Sequence, residues 1–237
     1  MKIFSTMPRA MVIGFFYSAF FIGLFESLNT TTALNTGTLY TLVPLGTALL
    51  SFVLLKEKVS NKVIMAYIVG VIGTVWVVFQ GNLSALLSFS LNTGDCIFLL
   101  ATLSMCCYSI SMKYLYRDDE MILLVFCTLL AGSFWLYIAL YLFNQPLQWA
   151  LISGNDLFNI SYLIIGATLS TMYLYQKTTV LLSPSRVNAY IFLTPVLISI
   201  ISFTIYGNSP KPVIIPGVLL SVFSTIILQK LYSVKET

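Results

Sequence analysis

Histidine is absent from this chain of 237 residues, and charged residues make up only 8% of it. Without histidine, the chain lacks the side chain that most often acts as a general base, metal ligand or pH sensor near neutral pH. Soluble domains carry about 25% charged residues, so too few charges remain here to cover a water-soluble globule. The sequence also contains no Walker motif, nucleophile elbow or zinc motif. We therefore expect no catalytic residues, no metal site and no cofactor.

Apolar residues dominate instead, since 58% of the chain is hydrophobic and the mean hydropathy is +0.93. They form long stretches, each close to the roughly 20 residues with which a helix crosses the hydrocarbon core of a bilayer. A helix satisfies its backbone hydrogen bonds internally, as lipid surroundings require. The sequence therefore predicts an all-α, polytopic membrane protein embedded in a lipid bilayer, with eight spans: Ala10–Leu28, Ala33–Leu55, Val63–Gln80, Cys96–Tyr114, Met121–Phe143, Leu157–Tyr175, Val187–Tyr206 and Val213–Leu231.

The positions of the basic residues predict how these spans are oriented. Cytoplasmic loops of membrane proteins are enriched in lysine and arginine. With a cytoplasmic N-terminus, Lys211 is the only one of the 12 basic residues on the outer side. We therefore predict a multi-pass protein of the cell (inner) membrane with both termini in the cytoplasm and with Gly81–Thr93, Asn144–Asp156 and Asn208–Lys211 outside. The net charge of +4 follows from this sorting, and we expect no nucleic-acid partner.

An internal repeat relates the second and third predicted spans to the seventh and eighth. A shift of 151 residues (195 − 44) superimposes Pro44 on Pro195 and Ser51 on Ser202 without a gap. A proline inside a helix costs about 3 kcal/mol or more, so we interpret the matched prolines as helix breaks. Because the second and seventh spans run in opposite directions in the predicted topology, the two copies are inverted, which is the architecture of many secondary transporters.

The repeat divides the chain into unequal parts. Residues 1–80 are predicted to hold three helices of a partial first repeat, residues 81–93 an external connecting loop, and residues 94–237 the five helices of a second repeat. Two complete five-helix repeats would make ten helices. We therefore expect an incomplete ten-helix inverted-repeat bundle that lacks the first two helices.

Several short motifs carry a resemblance to a known family. They are Leu42-Val43-Pro44, Leu54-Leu55-Lys56-Glu57, Thr93-Gly94-Asp95 at the start of the fourth span, and Leu193-Thr194-Pro195-Val196 ahead of Gly217. In the order and spacing of these motifs, nearly the whole chain resembles EamA-type members of the drug/metabolite transporter superfamily. The resemblance implies a ten-helix carrier of two inverted halves that moves a small metabolite across a bacterial inner membrane.

The chain also departs from the family pattern. The first two helices of the ten are lacking. Asn208 stands at the position that the repeat makes equivalent to Glu57. Ala66 stands at the position equivalent to Gly217. The absent helices matter most, because one of them is expected to line the substrate path.

Small and polar residues form a stripe on one face of the second span, and the stripe recurs on the seventh. The first stripe contains Gly37, Thr41, Pro44, Ala48 and Ser51 at helical spacing. The repeat shift carries four of these positions to Asn188, Pro195, Ser199 and Ser202. One interpretation is tight helix packing, because small residues are enriched where membrane helices approach closely. The other is that the stripes face each other across a substrate path, with the prolines freeing backbone carbonyls for a polar substrate.

Other polar residues could serve the same path. The fourth and sixth spans each lead from small polar residues to a lysine at the predicted cytoplasmic end, where the lysine either snorkels to headgroups or steers anionic or zwitterionic solutes. Glu26 is either a solvated interfacial carboxylate or a proton-coupling group. The candidate substrate-binding residues are Thr41, Ser51, Ser109, Ser170, Tyr173, Asn188, Ser199 and Ser202, and the candidate coupling or charge-steering residues are Glu26, Lys113 and Lys177. We expect four of them to border one shared cavity: Thr41, Tyr173, Asn188 and Ser199.

Three functions remain open at this point. By resemblance, the leading one is a secondary transporter that exports small metabolites such as amino-acid-like compounds. A carrier of nucleotide sugars or other phosphorylated metabolites is an alternative, but it would want cations deep in the membrane, and the lysines here lie at span ends. The third is a truncated, non-transporting membrane protein or a partner-dependent subunit. A homodimer is a further expectation for the assembly.

Overall fold

The computed structural model describes residues 2–57, 59–145, 154–207 and 211–233. Within these ranges eight helical segments are long and apolar enough to cross a membrane, which confirms the all-α polytopic fold. Asn208, and the two basic residues Lys58 and Lys235 that the predicted topology places on the cytoplasmic side, lie outside the described residues. The α-helices are α1 Lys2–Ser27, α2 Ala33–Tyr40, α3 Val43–Leu54, α4 Asn61–Val78, α5 Leu83–Leu87, α6 Thr93–Leu115, α7 Met121–Leu142, α8 Gly154–Tyr162, α9 Ser170–Leu181, α10 Pro184–Asn188, α11 Thr194–Tyr206 and α12 Ile215–Ser233.

Three of the spans are interrupted between their ends, and the eighth begins with a 3-10 turn at Pro212–Ile214. The second consists of α2 and α3, and the seventh consists of α10, a 3-10 turn at Ala189–Leu193 and α11. In the sixth, a π-helix at Leu163–Leu169 joins α8 to α9. Pro44 and Pro195 each occupy the second position of a helix that begins in mid-span, α3 and α11 respectively. Proline is tolerated there because the first residues of a helix have no intrahelical acceptor for their N–H groups.

The two ends of the bundle are named here by a residue that lies at each. At the Lys211 end, α1 and α4 end and α2 and α6 begin. At the Arg9 end, α3 and α6 end and α4 and α7 begin. Asp95 links elements at the Lys211 end, since its carboxylate accepts hydrogen bonds from Thr31 of the α1–α2 turn and from Asn35 of α2. Asn92 and Asp95 also cap the start of α6 reciprocally.

Two groups of helices pack through small residues. α1 packs against both α6 and α7, and Ser18 Oγ of α1 donates a 3.0 Å hydrogen bond to the Gly132 carbonyl of α7. α4 packs against α12, where Ser224 Oγ donates to the Ala66 carbonyl at 2.6 Å. Small side chains and hydroxyl-to-backbone bonds are the usual means by which membrane helices associate closely.

The α8 end of the sixth span is poorly covered. Only 6% of the residues in the most apolar stretch of Asp156–Leu181 are buried, and α8 and the π-helix pack mainly on each other and on α9. The repeat shift of 151 residues (178 − 27) makes this span equivalent to α1. α1 therefore packs extensively against α6 and α7, whereas its equivalent contacts these two helices mainly through α9.

An ion pair fastens the first helix to the α6–α7 loop at the Arg9 end. Arg9 Nη1 and Nη2 donate to the Asp119 carboxylate at 2.5 and 2.9 Å, and Thr6 Oγ1 donates to it at 3.0 Å. The side chains of Arg9 and Asp119 are only 15% and 10% exposed. Burial acts to raise the pKa of Asp119, but the hydrogen bonds from Arg9 and Thr6 outweigh it and hold that pKa below its ordinary value of 3.8.

We expect Asp119→Asn to lower the free energy of unfolding by about 2 kcal/mol near neutral pH. A carboxylate with a lowered folded-state pKa stabilises the fold above its ordinary pKa, and this contribution is lost as the pH falls through the folded-state value. The deficit of the variant should therefore be constant down to the ordinary pKa and shrink below it. Unfolding in detergent as a function of pH measures this, with the exposed neighbour Asp118→Asn as the control. A deficit that does not depend on pH would contradict the assignment.

Candidate functional site

A cavity of about 690 Å³ lies between the second and seventh spans at the Lys211 end. Its walls come from α2, the last turn of α4, the 3-10 turn and α11, and its outer rim includes the exposed residues Ala33, Gln80 and Lys211. The walls are mainly apolar. The cavity therefore enters the bundle at the break between α2 and α3 and at the matching break before α11.

The structure brings residues of both predicted stripes to this cavity. Gly37 and Thr41 line it on one side, and Pro195, Ser199 and Ser202 line it on the other. Thr41 Oγ1 donates to the Thr38 carbonyl at 2.7 Å, and Ser199 Oγ donates to the Pro195 carbonyl at 2.8 Å. Since these hydroxyl hydrogens are used within the helices, the oxygens are left to face a solute as hydrogen-bond acceptors.

Asn188 does not line the cavity but lies one helical turn below Ile191, which does. The Asn188 side chain is fully buried. Its Nδ2 donates to Thr47 Oγ1 at 2.8 Å and to Ser109 Oγ at 3.2 Å, and its Oδ1 accepts from the Tyr175 hydroxyl at 2.7 Å. A buried amide with all its main partners in place fixes the arrangement of the helices that supply them.

This cluster of Thr47, Ser109, Tyr175 and Asn188, called the Asn188 cluster below, joins α3, α6, α9 and α10. Ser109 Oγ and the Tyr175 hydroxyl are also 2.6 Å apart. The Tyr175 ring stacks on Tyr108 with ring centroids 5.8 Å apart. The cluster therefore connects helices from both predicted repeats beneath the cavity.

Thr47 and Tyr175 were not among the predicted site residues. Thr47 had a weak sequence signal, since it lies one turn from both Pro44 and Ser51 of the predicted stripe. Tyr175 had none that separated it from Tyr173, which the sequence favoured.

The structure places four predicted residues, three of the sixth span and one of the fourth, away from the cavity. Ser170 is exposed and donates to the Ile165 carbonyl of its own helix at 2.9 Å. Tyr173 is half-buried, and the exposed Lys177 Nζ lies 5.6 Å from the centre of its ring. Lys113 Nζ donates to the carbonyl of Val180 in α9.

Two further predicted residues lie apart from the cavity. Glu26 is exposed at the Lys211 end and accepts a 3.3 Å hydrogen bond from Asn29. Ser51 is fully buried, and its hydroxyl has no hydrogen-bond partner among the described residues. The residues that the structure does gather around the cavity are therefore Thr41, Ser199 and Ser202, with Ser109 and Asn188 beneath them.

Hydrogen bonds close the opposite end of the bundle. The Tyr67 hydroxyl of α4 donates to the Ser185 carbonyl of α10 at 2.8 Å and lies 3.1 Å from the Tyr232 hydroxyl of α12. Ser185 Oγ donates to Glu57 Oε2 at 2.9 Å. These bonds hold the seventh span against α4 and the α3–α4 loop, and α4 against α12, at the Arg9 end.

The fold and the cavity define the class of protein. It is a multi-pass helical membrane protein with a cavity, large enough for a small molecule, that opens at one end of the bundle. Residues 2–79 and 92–229 match the EamA-like transporter family. The chain belongs to this family of transporters.

Two relatives illustrate the similarity. The chain is 22% identical over 190 residues to "Uncharacterized transporter YyaM" of Bacillus subtilis (strain 168), covering 80% of this chain and 61% of YyaM. It therefore spans less than two thirds of that relative's length. A crystal structure of another protein superimposes with a TM-score of 0.73 at 18% identity, covering 94% of this chain and 76% of that one, so the two share a fold.

Proposed function

We propose that the protein is a secondary transporter that moves small metabolites by alternating access. The observation that carries the proposal is the cavity between the second and seventh spans, which enters from the Lys211 end and is closed at the Arg9 end. A site accessible from one side only is one of the two states through which such a carrier must pass. Membership of a transporter family supports the same function.

The basic residues support an orientation for this state. With both termini in the cytoplasm of a cell whose inner membrane holds the protein, the Lys211 end faces outward. The cavity is then open to the outside. Conversion to the inward-open state requires the bonds of Ser185 to Tyr67 and Glu57 to break while the cavity closes around Thr41 and Ser199.

The cargo that we propose is a small metabolite such as an amino-acid-like compound, and the direction is export. A volume of about 690 Å³ falls within the range of small-molecule sites, roughly 300–1,000 Å³. Among the described residues that line it, Lys211 is the only charged one. A nucleotide sugar with two phosphates would need more cationic groups than this, so the cavity disfavours phosphorylated cargo.

The thinly covered sixth span favours a second candidate, a subunit that transports only with further helices. α1 packs extensively against α6 and α7, whereas its repeat equivalent contacts these helices mainly through α9 and is poorly covered along α8 in the part of the chain that the structure describes. Expressing the chain alone and with a two-helix segment of the longer relative placed before Met1 separates the candidates. Export by the chain alone supports the first, and export only by the extended chain supports the second.

Filling the cavity tests the transport proposal directly. We expect Ser199→Trp to lower export severalfold, because the indole would occupy the space between α2 and α11. The matched control is Ile200→Trp, since Ile200 is 53% exposed on the adjacent face of the same helix. Mass spectrometry of the medium of cells loaded with a panel of amino acids and analogues provides the measurement. Equal export by the Ser199→Trp and Ile200→Trp variants would show that the cavity is not the path.

A further inference from the structure

Lys211 stands apart from the other basic residues of the chain. It is the one that the predicted topology leaves on the outer side, against the usual distribution of lysine in membrane proteins. It is also the only charged residue among the described residues that line the cavity. A lysine at a span end often has no role beyond solvation, but this one lies at the entrance of a cavity.

The backbone that carries Lys211 is held in place against α4. The Trp76 indole N–H of α4 donates to the Val213 carbonyl at 2.8 Å. Gly81 lies against the same residue, because a Cβ built on it would be 2.7 Å from Val213 Cγ2. The Ile214 N–H donates to the Lys211 carbonyl at 3.0 Å and closes the 3-10 turn that starts α12. Lys211 therefore projects from a fixed turn.

Gln80 lies on the same rim in an unusual backbone conformation. Its φ is +52°, in the left-handed region, which non-glycine residues seldom adopt and which often occurs at functional sites. Gln80 lines the cavity together with Lys211. The rim therefore offers an amide, which can donate hydrogen bonds, and an ammonium group.

No carboxylate balances this charge within the cavity. None of the eight acidic residues of the chain is among the described lining residues. Away from the rim, the walls of the cavity are mostly apolar. The Thr41 and Ser199 hydroxyls donate hydrogen bonds to backbone carbonyls of their own helices. A cationic solute would meet repulsion at the rim, whereas an anionic one would meet the ammonium group.

We propose that Lys211 binds the negatively charged group of the transported molecule, and that the cargo is a small apolar body bearing one carboxylate-like charge. The proposal rests on the assignment of this cavity to transport. One ammonium group matches one carboxylate, and the apolar walls match the remainder of the molecule. The lysine selects the cargo by charge at the entrance of the cavity.

Three probes of matched shape and different charge test this proposal by calorimetric binding to the purified chain in nanodiscs: isocaproate, isocaproamide and isoamylamine. We expect isocaproate to bind about fivefold more tightly than the amide, with the amine weakest. Because the rim is exposed, this preference should fall as salt is raised. Lys211→Met should abolish the preference of isocaproate over isocaproamide, and Lys211→Arg should retain it. Lys62→Met, at an exposed lysine of the Arg9 end, is the matched control.

Lipid phosphate is the competing source of negative charge for Lys211. Binding should show the same preference in nanodiscs of phosphatidylcholine and of phosphatidylglycerol. If isocaproate were preferred over isocaproamide in phosphatidylcholine but not in phosphatidylglycerol, Lys211 would be pairing with lipid headgroups. That result would overturn the proposal. So would equal affinities in the wild type, a preference that survives Lys211→Met, or no binding of any probe. Export measured on the same variants separates this failure from failure of the transport function, because a protein can export without a charge preference.

Discussion

Replacing Asn188 by leucine is expected to lower the free energy of unfolding by about 3 kcal/mol and to stop transport. Leucine has the same number of side-chain heavy atoms as asparagine and the same branch at Cγ, so the change removes hydrogen bonds without opening a cavity. It leaves the hydroxyls of Thr47 and Tyr175 without their amide partner in a buried site, and each unsatisfied group costs about 1–3 kcal/mol. Transport should stop because the lost bonds join four helices directly beneath the cavity.

Thermal unfolding in detergent and export from cells measure the two effects. A second variant, Asn188→Leu with Tyr175→Phe, should regain part of the lost stability, because it removes one of the hydroxyls that lost the amide as a partner. Ser170→Ala is the control, since Ser170 is exposed and bonds only to its own helix in the described contacts. If Asn188→Leu unfolds like the wild type, the Asn188 cluster does not hold these helices together.

The sequence was sufficient to predict the spans because each span is a long, almost uninterrupted stretch of apolar residues. A stretch of about 20 apolar residues has few other uses, and the observed spans differ from the predicted ones mainly at their ends. The paired prolines were equally informative. The repeat shift of 151 residues carries Val43 to Thr194, and these are the residues at which α3 and α11 begin.

The sixth span shows why the predicted site residues were only partly gathered together. Ser170, Tyr173 and Lys177 do share one face of α9, as their spacing predicted, but the structure turns that face away from the cavity. Apolar and polar residues are spread around α9 without a marked apolar side, so the sequence does not indicate which side is buried. The π-helix before it adds to the difficulty, because its wider turn shifts the angular positions of side chains along the span.

The Asn188 cluster and the rim of the cavity depend on contacts between distant parts of the chain. The bond between Asn188 and Thr47 joins residues 141 positions apart, and a single sequence carries no pattern that pairs them. Lys211 was visible in the sequence only as the exception to the charge distribution. Its place on the cavity rim follows from the contact between Val213 and Trp76, which periodicity cannot predict.

A larger side chain at Gly73 is expected to have the greatest effect on the fold. α4 and α12 touch at this residue, since a Cβ built on Gly73 would lie 2.8 Å from both Leu220 Cβ and the Ser221 backbone nitrogen. From the other helix, a Cβ built on Gly217 would lie 2.7 Å from the Gly73 carbonyl oxygen. Backbone atoms cannot turn aside as a flexible side chain can, so any added atom must push the helices apart.

We therefore expect Gly73→Leu to cost about 3 kcal/mol or more and to leave little folded protein, with Gly73→Ala intermediate. Separating α4 from α12 would also break the bond between Trp76 and Val213, which positions the cavity rim, so transport should fall with stability. Gly37→Ala is the matched control, because a Cβ built on Gly37 meets nothing within 4 Å and alanine is the better helix former by about 1 kcal/mol. The sign of the effect should thus reverse between two identical substitutions. Size-exclusion chromatography and thermal unfolding in detergent give the comparison, and similar melting temperatures for Gly73→Ala and Gly37→Ala would refute close packing of α4 on α12.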